Sequence, residues 1–205
     1  MNKITLALKY NPFVLAPMAG ITDTAFRSFM KEQRASIVFT ELVSASGLDH
    51  GGNRTKRYMK FNESQRPIGI QIFGESPEAM ARAAKLAQDE GADFVDINFG
   101  CPVPKVVKKG GGSAALKDVD QLKRILSTVK SAIVVPLTIK IRSGWDENSR
   151  NASQVCQAAY DEGVFWVTLH GRTRAQGYSG QADWEYIKRV RAESKVPIIG
   201  NGDIT

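Results

Sequence analysis

A strand–helix unit repeated along the chain most restricts what it can fold into. Residues 67–74 (PIGIQIFG) form a short β-branched run, and residues 76–91 (SPEAMARAAKLAQDEG) read as a complete helix after it. Ser76 caps that helix, Pro77 takes its first turn, Met80, Ala83, Ala84 and Ala87 form its buried stripe, and Gly91 stops it. The same alternation predicts strands at 13–18, 37–43, 92–100, 137–144, 164–172 and 196–203. Helices fall between them: one with Phe26, Phe29 and Met30 on its buried face, one with Leu122, Ile125, Leu126 and Val129, one around 152–160, and one from Asp183. Repeated units of this size predict a parallel sheet with helices outside, and the absence of a linker or composition shift predicts one domain.

The strands alternate in a way that selects among parallel folds. Ile68, Ile70 and Ile72 share a face opposite Gln71; Val95, Ile97 and Phe99 oppose Asp96 and Asn98; Leu137, Ile139 and Ile141 oppose Thr138, Lys140 and Arg142; Phe165, Val167 and Leu169 oppose Trp166, Thr168 and His170. A doubly wound sheet needs apolar residues on both faces. A polar second face suits a TIM (β/α)8 barrel whose interior opens onto a polar site. Seven strand segments are present, the last just opening, so the reading is a barrel truncated before its eighth strand.

The 205 residues are 42% hydrophobic and 24% charged, as in an ordinary globular chain. No run approaches a membrane span, and the first 20 residues lack the pattern of a signal peptide. Two cysteines in unlike contexts speak against a disulfide framework and for a reducing cytoplasm. The net charge of +7 permits a polyanionic partner.

Cys156 lies in a helical stripe with Ala152, Val155 and Ala159 and reads as core. Cys101 differs: it follows the C-terminal end of the fourth strand, where barrels place their chemistry, between Gly100 and Pro102. With no second cysteine or histidine at ligand spacing, no metal is expected, and nucleophile or proton donor remains. Inward Lys140 either pairs with Asp96 or faces an anionic cofactor or substrate. His170 is either a satisfied core histidine or a phosphate or cofactor contact. The turn Asn201-Gly202-Asp203 offers backbone amides to a phosphate, although such turns are common. Lys105, Lys108 and Lys109, alternating with Gly110 to Gly112, suggest a mobile basic loop beside the mouth.

Three segments together resemble one family, the tRNA-dihydrouridine synthases: LAPMAGITDTAFR (15–27), DINFGCPVPKVVKKGGGSAAL (96–116) and TLHGRTRAQGYSGQADW (168–184). The third is similar to the bacterial B-type subgroup. The resemblance implies an FMN-binding TIM barrel over residues 1–205, incomplete here, with a C-terminal helical RNA-binding domain absent from the sequence. It implies Pro17, Met18 and Ala19 along the flavin, Gln71 and Lys140 at its rings, His170, Asn201, Gly202 and Asp203 on the ribityl-phosphate side, and Cys101 as proton donor. It further implies NADPH as reductant and tRNA as partner, in the cytoplasm, with no membrane and no metal, this chain being an inactive or partial fragment. The competing readings are a small-molecule flavin barrel of the dihydroorotate dehydrogenase type and a non-catalytic RNA-binding barrel. The basic surplus speaks against the first of these.

Overall fold

The computed structural model describes residues 2–49 and 53–204. The chain opens with helices α1 (Lys3–Tyr10) and α2 (Thr24–Glu32), then strands β1 (Val38–Phe39) and β2 (Val43–Ser44) and helices α3 (Ala45–Asp49) and α4 (Asn53–Arg57). Regular alternation follows: β3 (Ile68–Phe73), α5 (Pro77–Asp89), β4 (Phe94–Phe99), α6 (Pro104–Val107), α7 (Val119–Ala132), β5 (Leu137–Arg142), α8 (Ala152–Asp161), β6 (Val167–His170), α9 (Trp184–Glu193) and β7 (Ile198–Asn201). The strands pair in parallel in the order β1-β3-β4-β5-β6-β7, with β2 beside the end of β3. The result is a curled sheet with helices outside, an open arc of a (β/α)8 barrel.

Two predicted strands differ from expectation. Of residues 13–18 only Val14 pairs, in a parallel bridge to Ile37. Pro12 and Pro17 bracket it and have no amide hydrogen to give a ladder. The run 37–43 divides into β1 and β2 because the Thr40 side chain accepts the Gln71 amide at 3.2 Å, taking the place of a backbone carbonyl.

The helix signals hold at the caps. Asp23, Ser76, Asp118 and Asp183 accept the amides of Phe26, Ala79, Gln121 and Tyr186. Gly91 follows α5 at φ +91°. In α2 Phe26 and Met30 pack on Leu15, Ala35, Val38 and Ile68 as expected, but Phe29 does not join them: it is 51% exposed, whereas Arg27 is 1% exposed. Arg27 reaches the Thr22 and Lys60 carbonyls and the Gln65 side chain, so its charge is satisfied inside while the phenyl ring of Phe29 turns outward.

The outer face of the strands (Ile70, Ile72, Val95, Ile97, Ile139, Ile141, Val167, Leu169) packs under α5, α7, α8 and α9 as the main core. The inner face is layered. At its lower end Phe39, Phe94 and Trp166 cluster with Ile4 of α1 and Ile37. The Phe94 ring lies 5.2 Å from Phe39 and 5.0 Å from Trp166. Gly69 makes room for it, since a Cβ there would stand 2.3 Å from the ring. Above this apolar floor the inner face is polar, so the site is pushed to the C-terminal ends of the strands. Among the described residues no helix is long and apolar enough to cross a membrane.

Candidate active site

Strand register sets the site. Gln71, Asp96 and Thr138 stand side by side on β3, β4 and β5; Asn98, Lys140 and Thr168 form the next row; Arg142, His170 and Asn201 form the row at the strand ends. Asp96 is fully buried and accepts from Gln71 Nε2 at 2.6 Å and Thr138 Oγ1 at 2.5 Å. Burial pushes its carboxyl up to about 6, against the pull of those two donors.

Asn98 carries the polar row to the thiol. Its Nδ2 donates to Gln71 Oε1 at 2.9 Å, and its Oδ1 accepts from the Gly100 amide at 3.0 Å and the Cys101 amide at 2.7 Å. The Cys101 carbonyl in turn accepts from the amide of Ser113 at 3.1 Å and its hydroxyl at 2.9 Å. The half-buried cysteine is therefore held from both sides. Gly112, at φ +57°, closes over it: a Cβ there would lie 2.7 Å from the Cys101 carbonyl oxygen. Where a mobile basic loop was expected, the chain forms α6 and a 3-10 turn over Gly112–Lys117 that packs back on Cys101. Lys105, Lys108 and Lys109 remain exposed, as that expectation required.

Lys140 does not bridge to Asp96. Its Nζ donates to Asn201 Oδ1 at 2.8 Å, because the Asp96 carboxylate is already taken by Gln71 and Thr138. Burial, helped by the Arg142 cation, brings its ammonium down to about 8. His170 lies against Gly202, where an added Cβ would stand 2.6 Å from the ring. Burial and the cations Lys140, Arg142 and Arg172 push its imidazole down to about 3, so it is neutral at physiological pH.

Three residues that sequence reasoning did not single out complete the arrangement: Asn98, Arg142 and Arg172. Arg142 is 4% exposed and donates to the carbonyls of Gly100 (3.0 Å), Thr173 (2.9 Å) and Gly177 (2.8 Å), joining the loops after β4 and β6. Arg172 grips Asp203 through both guanidinium nitrogens at 2.9 Å and contacts His170 Nε2 at 3.4 Å. Asp203 also accepts the Ala182 amide at 2.7 Å. Its carboxylate thus faces protein, leaving only backbone for the phosphate role expected of this turn. Asn98 had a signal, an amide side chain three residues before Cys101 as in an Asx turn. The two arginines had none, since strand ends and loops rich in Arg also occur as solvated surface.

Pro17, Met18 and Ala19 follow the parallel bridge of Val14 to Ile37, at the edge of the sheet beside β1. The Met18 carbonyl accepts from the Ile21 and Thr22 amides, and Gly20, at φ +75°, donates its amide to Glu41 Oε1 at 2.7 Å. Cys156 is buried, and burial pushes its thiol up to about 12, as a core residue requires. Among the described residues no group of His, Cys, Asp and Glu is placed to hold a metal ion.

The donor set fits an anionic, hydrogen-bonding group. Arg142 meets carbonyls and no carboxylate, and Lys140 meets an amide oxygen, so positive charge at the mouth exceeds the negative charge paired with it. Residues 14–205 match the family model described as dihydrouridine synthase (Dus). The chain is 43% identical over 191 residues to "Probable tRNA-dihydrouridine synthase 1" of Synechocystis sp., covering 92% of this chain and 53% of that protein. It is 42% identical over 194 residues to "Probable tRNA-dihydrouridine synthase" of Rhizobium leguminosarum, covering 95% and 61%. It is 40% identical over 195 residues to "tRNA-dihydrouridine synthase B" of Pasteurella multocida, covering 95% and 59%. The chain thus spans between half and two thirds of the length of these relatives.

Proposed function

The chain belongs to the dihydrouridine synthase family, and from that premise we propose that it is the FMN-dependent barrel of a tRNA-dihydrouridine synthase, using NADPH as reductant and working in the cytoplasm. The observation that carries the reading is Cys101, held at the end of β4 by Asn98 and Ser113 inside a mouth lined with unpaired positive charge. When bound and reduced by NADPH, FMN would supply the hydride that reduces the C5–C6 double bond of uracil at C6.

The chain's own residues do the rest. Lys140, with ammonium protons beyond the one given to Asn201, holds the anionic edge of the flavin, and Gln71 borders its rings through the Gln71–Asn98 amide pair. Pro17, Met18 and Ala19 line the opposite wall. His170 stays neutral and donates without adding charge, while the backbone of Asn201-Gly202-Asp203 meets the phosphate side. Cys101 Sγ gives its proton to C5 and becomes a thiolate. The target base must leave its stack to enter, which suits an unpaired loop of tRNA. The helical RNA-binding domain that the family resemblance implies would supply further grip.

Cys101→Ala tests this. Flavin binding and its reduction by NADPH should persist, while reoxidation of the reduced flavin by unmodified tRNA should slow by ~10²–10⁴, the loss of a general acid. Cys156→Ala should leave that step alone. Unchanged reoxidation in Cys101→Ala would refute the proton-donor role, and turnover of dihydroorotate in place of tRNA would favour the small-molecule barrel.

A further inference from the structure

A cavity of about 590 Å³ opens outside the barrel mouth, between the 3-10 turn after β4 and the loop after β5. Its walls include Leu116, Lys117, Trp145, Arg150, Asn151 and Gln154. Trp145 is flanked by two cations, Lys117 Nζ at 4.4 Å and Arg174 Cζ at 4.5 Å from its ring centre. Neither cation has a carboxylate partner among the described residues. Three buried polar atoms in and beside this wall also lack partners: Arg150 Nε, Arg174 Nε and Asn151 Oδ1. The rest of Arg150 and of Asn151 is occupied. Arg150 binds Asp183 and Glu147 through its terminal nitrogens, and Asn151 Nδ2 donates to the Leu116 carbonyl. Asp146, the acid on the rim, has its carboxylate turned to the Asn148 amide and the Ser149 hydroxyl.

This wall offers the cavity an indole and two cations without a carboxylate partner. A flat base joined to a phosphate answers both features, and the volume lies within the roughly 300–1,000 Å³ of small-ligand sites. The cavity adjoins the reactive centre. Ser113 binds the Cys101 carbonyl and begins the turn that ends at Lys117. On the other wall the Gly144 and Trp145 carbonyls accept from the Arg174 and Ala175 amides, in the loop that Arg142 clamps.

We propose that this cavity binds one nucleotide of the RNA strand flanking the uridine that reaches Cys101, with its phosphate on Lys117, in the field of Arg174, and its base against Trp145. The proposal rests on RNA being the substrate. It places a second, non-reacting nucleotide in a pocket built by the β4 and β5 loops, so the enzyme reads a neighbour of its target.

The test is fluorescence anisotropy with a labelled oligouridylate, beside turnover on unmodified tRNA, for the wild type, Lys117→Ala and Gln154→Glu. Gln154 is exposed in the first turn of α8, where a carboxylate favours the helix, so weaker binding in Gln154→Glu cannot come from a damaged fold. Lys117→Ala should weaken oligonucleotide binding about five- to tenfold at 0.1 M salt and lower the log–log salt slope by ~0.7, the counterion release of one single-strand phosphate. Gln154→Glu should weaken it by a similar factor, and in both variants KM for tRNA should rise with kcat unchanged. Wild-type affinity and slope in both variants would overturn the proposal, as would a raised KM for NADPH with RNA binding intact, which would make the pocket a dinucleotide site. Cys101→Ala separates this from the catalytic reading: it should slow turnover by the ~10²–10⁴ of a lost general acid and leave the Lys117 dependence of binding untouched. A protein of the relatives' full length that binds RNA through Lys117 but does not reduce it would sink the catalytic reading alone.

Discussion

Gly112→Ala places one methyl group against the backbone that positions the thiol. The residue sits at φ +57°, a left-handed conformation that costs a non-glycine residue about 1–2 kcal/mol. Its Cβ would also stand 2.7 Å from the Cys101 carbonyl oxygen and 3.0 Å from the Cys101 Cβ. That oxygen cannot swing away freely, because Ser113 holds it through amide and hydroxyl while Asn98 holds the Cys101 amide. Adding ~1–3 kcal/mol for overpacking gives a loss of roughly 2–5 kcal/mol, or about 4–20 °C in melting temperature for a chain of this size. The cysteine itself should shift by several tenths of an ångström. Since about 1 Å of misplacement costs on the order of 10²-fold, the proton-transfer step should slow about tenfold. Gly111→Ala is the control: its φ is −87°, and its Cβ would meet only ordinary contacts from 3.4 Å. Thermal melts and single-turnover flavin reoxidation with tRNA, run on both variants, decide the matter. Equal stability and equal rates in the two would refute the view that the glycine loop presses Cys101 into place.

Asp96→Asn should change how stability depends on pH. The folded carboxyl, raised to about 6, holds its proton above the unfolded value of 3.8. Its stabilising contribution is therefore fully present below pH 3.8 and lost as pH rises through about 6. Denaturant titrations from pH 4 to 7 should show that decline in the wild type relative to Asp96→Asn; identical pH profiles would contradict the burial argument. Changing Lys105, Lys108 and Lys109 together to Ala should weaken tRNA binding and reduce its salt slope by ~0.7–0.9 for each phosphate that is no longer neutralised. Filter binding at several salt concentrations measures this, and an unchanged slope would make the three lysines only a solvated face.

Much of the fold was legible because periodicity is local. Ile68, Ile70 and Ile72 against Gln71, or Leu137, Ile139 and Ile141 against Lys140, reveal two faces without reference to any other segment, and the caps Ser76, Asp118 and Asp183 act within a single turn. The position of Cys101 at a strand end was legible for the same reason. What depends on partners distant in sequence was not. Phe29 and Arg27 exchange places because Gln65 and the Lys60 carbonyl, more than 30 residues away, satisfy the guanidinium. Lys140 turns to Asn201 because Gln71 and Thr138 reach Asp96 first. Arg142 becomes a clamp only where the loops after β4 and β6 converge on it, and the Asp203 carboxylate is taken by Arg172. Helix and strand periods follow from backbone geometry that each segment carries with it, so sequence alone determined the barrel and its reactive end. Which buried charge meets which oxygen depends on competition among groups brought together by the curled sheet, and only the tertiary structure decided that.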